Sequence, residues 1–360
     1  MTKVSLSRYR IVIVGNRGGT NVGESFERTL IAAKGDVCLL EAHDAMRAPT
    51  WLRLFNWHVR GHRPTRLFEF SEHLVNTCES YHAQFVIVSG ISGVTSVALR
   101  KLAKRGIRTV NYLTDDPWNH MHRTRWFFEA LPEYTTVFST RTANIADLRN
   151  LGCHDVRYLP FGYDPSYHFP ERLGPDDADQ FRTDVVFIGG ADSDRIPYCA
   201  AIIQSGLSLA LYGDQWARYR STRHAWKGYA DLSILRKATR GAKVCLCIGR
   251  RANRDGHAMR SFEIPAMGGC MLAEDTEEHR EIFGKEGHAV VYFSSIPQMI
   301  AKARWLLAHP DERSRLATTA YALITGGKNT YADRLETILR HAEEFIERNR
   351  RAGVNRDVRQ

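Results

Sequence analysis

The densest potential chemistry in the chain lies between Ile248 and Gly269, IGRRANRDGHAMRSFEIPAMGG. Four arginines (Arg250, Arg251, Arg254, Arg260) and two carboxylates eight residues apart (Asp255, Glu263) follow a strand-like run directly. A short helix is predicted next, and its amino terminus, near His257 to Arg260, would offer free N–H groups and a positive dipole end to an anion. Guanidinium groups suit a diphosphate, and a carboxylate on a helix suits ribose or sugar hydroxyls. Asn253 and Ser261 add polar donors to the set. A purely structural reading, with the arginines as a solvated face and Gly268-Gly269 as a helix stop, explains the glycines but not an Arg-rich loop at a strand's carboxyl end. Cys245 and Cys247 are two apart on the preceding strand and so share one face, as small core residues rather than metal ligands.

A second concentration is Thr114-Asp115-Asp116-Pro117-Trp118-Asn119-His120-Met121-His122, after the predicted strand Thr109–Leu113. Asp116 or Asp115 could orient or deprotonate an acceptor hydroxyl. Asp-Asp-Pro is also turn and helix-start chemistry. Asp115, Asp116 and His120 match no closed set of metal ligands, so no metal is expected.

The third candidate is the turn after the first strand, Gly15-Asn16-Arg17-Gly18-Gly19-Thr20-Asn21-Val22-Gly23. A dinucleotide fingerprint needs G-x-G-x-x-G, whereas Gly15 and Gly18 are three apart, which argues against an NAD(P)-dependent oxidoreductase. Glu41 is a weak stand-in for the ribose-binding acid. Two readings remain open: a turn that needs positive φ, or a flexible loop facing the cleft that holds an acceptor, through Gly18, Gly19 and Thr20 with Trp118, or a phosphate of the donor.

Between Asp44 and Glu69 there is no acidic residue, while Trp51, Leu54, Phe55, Trp57 and Val59 interleave with Arg53, His58, Arg60, His62, Arg63 and Arg66. The plain expectation is a helix whose aromatic side packs on the sheet and whose arginines are solvated. The alternative is peripheral membrane contact, or an acceptor surface, through 51–66.

These residues need a scaffold, and the pattern around them supplies one. Short β-branched runs alternate with amphipathic stretches along almost the whole chain, as in parallel sheets with crossover helices. Strands are predicted at Ile11–Val14, Val37–Leu40, Phe85–Val88, Thr109–Leu113, Thr136–Phe138 and Arg157–Leu159. A second series follows at Val185–Ile188, Leu207–Tyr212, Lys243–Ile248, Met271–Ala273 and Val290–Phe293. The fold class is α/β: two Rossmann-like doubly wound domains facing a cleft, with C-terminal helices. The expected boundaries are an acceptor domain over 1–165, a Pro-rich linker over 166–182, a donor domain over 183–330, and a C-terminal helix over 331–360 that packs back toward the first domain.

The 360 residues carry 50 Lys plus Arg against 40 Asp plus Glu, a formal charge of +10 that points to an anionic partner. Seven scattered cysteines argue against a disulfide framework and for a reducing, cytoplasmic setting. With no signal-peptide pattern and no long apolar window, any membrane association is expected to be peripheral, at the inner face.

The segment ANRDGHAMRSFEIPAMGGCMLAEDTEEH resembles the donor site of the CgeB-like, spore-coat-maturation-protein-like GT-B glycosyltransferases, related to retaining GT-B enzymes. YLPFGYDPSYHFP, VVFIGGADSDR, LYGDQW and NTYADRLETIL extend the likeness over about residues 110 to 340. The resemblance implies that Glu263 holds the nucleotide ribose, that Asp255 lies near the donor sugar or its phosphates, and that Arg260 and His257 flank the diphosphate. It further implies that Gly189, Gly190 and Arg195 form the other wall of the pocket, and that Gly213 and Asp214, with Trp216, either join the donor-binding set or only shape the adjoining turn.

The expected activity is therefore transfer of a sugar from a nucleotide-diphosphate donor to an acceptor hydroxyl, with retention. No cofactor or metal is expected beyond the nucleotide-sugar co-substrate. The acceptor would be a glycan, a lipid-linked glycan, a protein or a small molecule, and nucleic acid is not expected. The rival reading is a non-catalytic glycan- or polyanion-binding protein on the same fold. The charge fits the first: Arg218 to Arg260 holds twelve cations and two acids, so this segment carries the whole excess of +10 and the rest balances at 38 against 38.

Overall fold

The computed structural model describes residues 6–254, 256–342 and 344. The chain forms two compact units, one comprising Met1–Pro160 with Tyr331–Gln360 and the other Phe161–Thr330.

The first unit is built on six strands: β1 (Arg10–Gly15), β2 (Asp36–Glu41), β3 (Phe85–Ser89), β4 (Arg108–Leu113), β5 (Thr136–Ser139) and β6 (Val156–Tyr158). Their order is β2-β1-β3-β4-β5-β6 and every pairing is parallel, with Ile13 opposite Leu39 on one side and Ile87 on the other. A parallel sheet needs cover on both faces, which is why β1 and β3 read as unbroken apolar runs. Ile11 to Val14 and Phe85 to Val88 are completely buried. Crossover helices at Val22–Ala32, Leu67–Ser80, Ser96–Lys104 and Ala143–Asn150 supply the cover. Thr95 starts the third of these by accepting the Ala98 N–H on its Oγ1 at 3.3 Å.

Gly15 and Gly23 are required by that packing. A Cβ on Gly15 would stand 2.8 Å from Gly23 Cα, so the first helix can approach the first strand only if both residues lack side chains. Residues 331–342 form a helix that belongs to this unit. Tyr331 meets Phe26 edge to face at 5.8 Å, Arg334 Nε donates to Pro160 O at 2.8 Å, and His341 Nε2 lies 2.6 Å from Asp155 Oδ2.

The second unit holds β7 (Thr183–Ile188), β8 (Leu209–Tyr212), β9 (Ala242–Cys247), β10 (Met271–Glu274) and β11 (Val291–Phe293), in the order β11-β10-β9-β7-β8, again all parallel. Helices Ile296–Ala308 and Pro310–Gly326 close the unit. Residues 166–182, expected as a linker, are packed onto this unit. They contain a helix at Pro175–Phe181, and Glu171 pairs with Arg236 and Asp177 with Lys237. The prolines punctuate that segment without freeing it.

In each sheet the strand order reverses direction once, between β1 and β3 in the first unit and between β7 and β9 in the second. At such a switch point the crossovers leave toward opposite faces, opening a crevice at the carboxyl ends of the strands. All seven cysteines are free thiols, and all but Cys38 are buried. Among the described residues, no helix is long and apolar enough to cross a membrane.

Candidate functional site

At the switch point of the second unit, the loops that follow β7 and β9 are tied to each other. Arg260 Nε donates to Ile188 O at 3.1 Å, joining the helix Arg260–Ala266 to the end of β7. Arg195 Nη2 donates to Ile248 O at 3.2 Å and its Nη1 to Gly190 O at 3.3 Å, joining the same two strand ends from behind. Gly189, Gly190, Arg195, Arg250, Arg260 and Glu263 are thus gathered in one place.

Glu263 is the chemical centre of this group. It is fully buried, it pairs with Arg260 one helical turn earlier, and its Oε1 lies 3.4 Å from His168 Nε2. Neither carboxylate oxygen is met by a well-aligned hydrogen bond from the protein. His168 Nδ1 accepts the Asp164 N–H at 3.0 Å, so a neutral His168 carries its proton on Nε2, the nitrogen facing Glu263. A buried carboxylate with acceptor capacity to spare can take hydrogen bonds from the hydroxyls of a ligand.

Other members of the predicted set are engaged by the protein. His257 is buried, its Nε2 accepts the Phe161 N–H at 3.2 Å, and its Nδ1 lies 2.6 Å from Glu278 Oε2. Ser261 Oγ accepts the Ala258 N–H at 3.1 Å and faces His279 Nε2 at 2.8 Å, while His279 Nδ1 lies 2.7 Å from Glu274 O. Because the Glu274 carbonyl can only accept, Nδ1 carries the His279 proton and Ser261 donates to Nε2. Burial pushes the His279 pKa from 6.5 down to about 4, so this ring is neutral at ordinary pH. Gly249 N donates to Glu274 Oε2 at 3.1 Å, which fixes the start of the Arg-rich loop.

Gly213 and its neighbours shape a turn. With φ at +127°, Gly213 brings the β8 loop so close to the β7 loop that a Cβ would stand 2.5 Å from Gly189 O. Trp216 Nε1 donates to Gly189 O at 2.7 Å, and the exposed Asp214 hydrogen-bonds the Tyr229 side chain. In the loop after β9, Asn253 is buried and Arg254 is exposed with φ at +50°. Asp255 lies outside the described residues.

The cations of this unit are more neutralised than the sequence count implies. Arg236, Lys237, Lys243, Arg250, Arg251 and Arg260 each stand beside a carboxylate from outside 218–260, respectively Glu171, Asp177, Asp184, Asp192, Glu274 and Glu263. Residues far apart in sequence meet here, so a local charge excess is not a local field.

In the first unit, a cavity of about 320 Å³ opens at the switch point between β1 and β3. Asn16, Asn21, Gly23, His43, Trp57, His62, Asp115 and His122 are among its walls. Of the two aspartates, Asp115 lines this cavity and accepts the Thr114 hydroxyl on its Oδ2 at 3.1 Å. Asp116 is buried, and its Oδ1 accepts the Trp118 N–H at 2.9 Å, the turn chemistry that Asp-Asp-Pro allows.

Gly18, Gly19, Thr20 and Trp118 are not among the residues that line the cavity. The glycine loop folds on itself: Gly18 and Gly19 take positive φ, Gly18 N donates to Glu24 Oε2 at 2.6 Å, and Arg17 pairs with Glu27 and Glu41. Trp118 packs against the core and meets Phe128 edge to face at 5.3 Å. Among the described residues, no group of three or more His, Cys, Asp or Glu converges as metal ligands.

His168, Glu274, Glu278 and His279 carry much of the second unit's polar network but were not assigned roles from sequence. The last three lie within LAEDTEEH, where only burial sets them apart from ordinary surface residues.

Comparison with known proteins agrees with this architecture. A family described as glycosyl transferase-like matches residues 198–340. Sucrose-phosphate synthase from Thermosynechococcus elongatus is similar in structure, with a TM-score of 0.68 at 12% identity, over 93% of this chain and 99% of that one. A glycosyltransferase from Rickettsia africae aligns with a TM-score of 0.65 at 10% identity, over 94% and 98%. Anabaena Alr3699/HepE, solved in complex with UDP and glucose, aligns with a TM-score of 0.63 at 10% identity, over 94% and 100%. No curated protein matches the sequence. The chain has the GT-B fold, and its residues 198–340 are similar to the glycosyl transferase-like family.

Proposed function

We propose that the protein is a glycosyltransferase that moves a sugar from a nucleotide-diphosphate donor, held by the second unit around Glu263 and Arg260, to an acceptor hydroxyl held in the first-unit cavity beside Asp115. The observation that carries the reading is the buried Glu263 carboxylate at the switch point, paired with Arg260 but without a well-aligned hydrogen bond. Ribose hydroxyls are donors of the right kind for it. UDP in the Anabaena relative is the matching class of ligand.

Departure of a nucleoside diphosphate develops negative charge on its phosphates. Arg260, held between Ile188 O and Glu263, is preorganised to meet that charge, with Arg250 as a second cation. Guanidinium groups fixed in this way stabilise the leaving group without a metal, and the likeness to retaining enzymes favours retention of configuration. Asp115, on the wall of the first-unit cavity, would orient or deprotonate the acceptor hydroxyl.

The direct test is release of nucleoside diphosphate from a panel of UDP-, GDP- and dTDP-sugars in the presence of EDTA. Binding and turnover of one donor by the wild type, with loss in Glu263→Ala, is the expected result. Absence of any donor binding, or full activity of Glu263→Ala, would sink the reading.

A further inference from the structure

The helix Thr50–Val59 turns its apolar side outward. Trp51, Leu54, Phe55 and Val59, spaced i, i+3, i+4 and i+8 and therefore on one face, are 70, 52, 45 and 66% exposed. The side chain it buries is polar: Asn56 donates from Nδ2 to Thr65 Oγ1 at 3.1 Å. Phe68, also exposed, belongs to the same segment. This contradicts the expectation that the aromatic side packs on the sheet. Five of the fourteen large apolar side chains exposed among the described residues fall between 51 and 68, so the exposure is concentrated in one segment.

The same segment is basic. No acid separates Asp44 from Glu69, and five arginines lie between them. Arg47 pairs with Asp44 and Arg66 with Glu69, while Arg53, Arg60 and Arg63 have no carboxylate partner among the described residues. The Arg60 guanidinium lies 5.5 Å from the centre of the Phe55 ring, and that of Arg63 lies 4.6 Å from the Phe68 ring. Unpaired cations therefore border exposed aromatics.

We propose that the helix Thr50–Val59 and the Arg-rich turn after it dock the first unit onto an anionic lipid surface. Trp51, Leu54, Phe55 and Val59 would enter the boundary between headgroups and acyl chains, and Arg60 and Arg63, beside the Phe55 and Phe68 rings, would meet lipid phosphates. Charge and chemistry select this occupant. A second copy meeting the same face would set arginines against arginines, and a nucleic acid would find no use for Leu54 and Val59. Trp57, on the same helix, stacks on His62 at 4.4 Å, and both line the cavity beside Asp115. Docking therefore holds that cavity near the headgroups. Its value for acceptor capture rests on the transferase reading above; the docking itself does not.

Sedimentation of the full chain with phosphatidylcholine vesicles, with and without phosphatidylglycerol, tests the proposal. The wild type should partition to the anionic vesicles and be released by high salt. Arg60→Gln and Arg63→Gln should each weaken partitioning about 5-fold, Arg53→Gln on the opposite side of the helix should weaken it less, and Trp51→Ser with Phe55→Ser should abolish it. Nucleotide binding, retained in every variant, reports that the protein is folded. Failure of the wild type to bind anionic vesicles, unchanged partitioning of the variants, or concentration-dependent dimerisation lost in Trp51→Ser/Phe55→Ser would overturn the proposal. Vesicle binding without any nucleotide binding by the wild type would instead defeat the donor reading and leave docking standing.

Discussion

His257 Nδ1 lies 2.6 Å from Glu278 Oε2, with both side chains buried, and His257 Nε2 accepts the Phe161 N–H. The second contact orients the first: with Nε2 accepting, the ring's proton sits on Nδ1 and is donated to Glu278. The pair anchors Phe161, the first residue of the second unit, to the loop that carries the arginines. Glu278 has little freedom, since a Cβ on Gly256 would stand 2.5 Å from its Cδ.

Glu278→Ala should therefore destabilise the protein by about 1–3 kcal/mol, because a buried donor loses its partner. Chemical denaturation reads this directly. A stability equal to wild type would show that the pair holds nothing together.

Glu263→Gln keeps the volume but removes the charge and gives one oxygen's place to a donor. Nucleotide affinity should fall about 10- to 100-fold, the weight of losing hydrogen bonds to a charged acceptor. Calorimetric titration with the preferred nucleoside diphosphate measures it, and an affinity within twofold of wild type would remove Glu263 from the site.

The two adjacent aspartates should separate cleanly. Asp115→Asn should lower transfer about 100-fold or more while leaving the melting temperature near wild type. Asp116→Ala should chiefly cost about 1 kcal/mol of stability through loss of its bond to the Trp118 N–H. The reverse pattern, with Asp116→Ala stable but inactive, would reassign the roles.

Acid should weaken the second unit through His279. Its pKa is pushed from 6.5 to about 4 by burial, so between those values the unfolded chain binds the proton that the folded one refuses. Stability from this residue is complete above about pH 6.5 and is lost as pH falls toward 4, by about 2 kcal/mol between pH 7 and pH 5. Thermal melts at both pH values, with His279→Gln as the non-titrating control, give the comparison. An equal acid shift in both proteins would refute the assignment.

The sheets were legible because their strands are buried on both faces and so appear as continuous β-branched runs bounded by glycines and turns. The strands at Ile11–Val14 and Val185–Ile188 are examples, and in the structure each is extended by one or two residues at its ends. The ends are set by hydrogen-bond register with neighbouring strands, which local pattern does not encode. Arg260 and Glu263 were legible for a different reason: i, i+3 spacing on a helix puts them side by side wherever the helix goes.

His168 was not legible, because 95 residues separate it from Glu263 and nothing near Pro165 marks it as more than a turn histidine. The orientation of the helix Thr50–Val59 was not legible for a related reason. Periodicity shows that a helix has two faces but not which one the rest of the chain covers, and here the chain covers Asn56 and leaves Trp51 in water.

Local composition and spacing thus sufficed for the alternation of strands and helices and for the pairing of Arg260 with Glu263 along one helix, since backbone preference and helical periodicity act over a few residues. Which carboxylates neutralise which arginines, which of Asp115 and Asp116 faces a cavity, and which histidines are locked into buried hydrogen bonds depend on contacts between distant segments. Burial and proximity create those differences, and neither exists until the chain has folded.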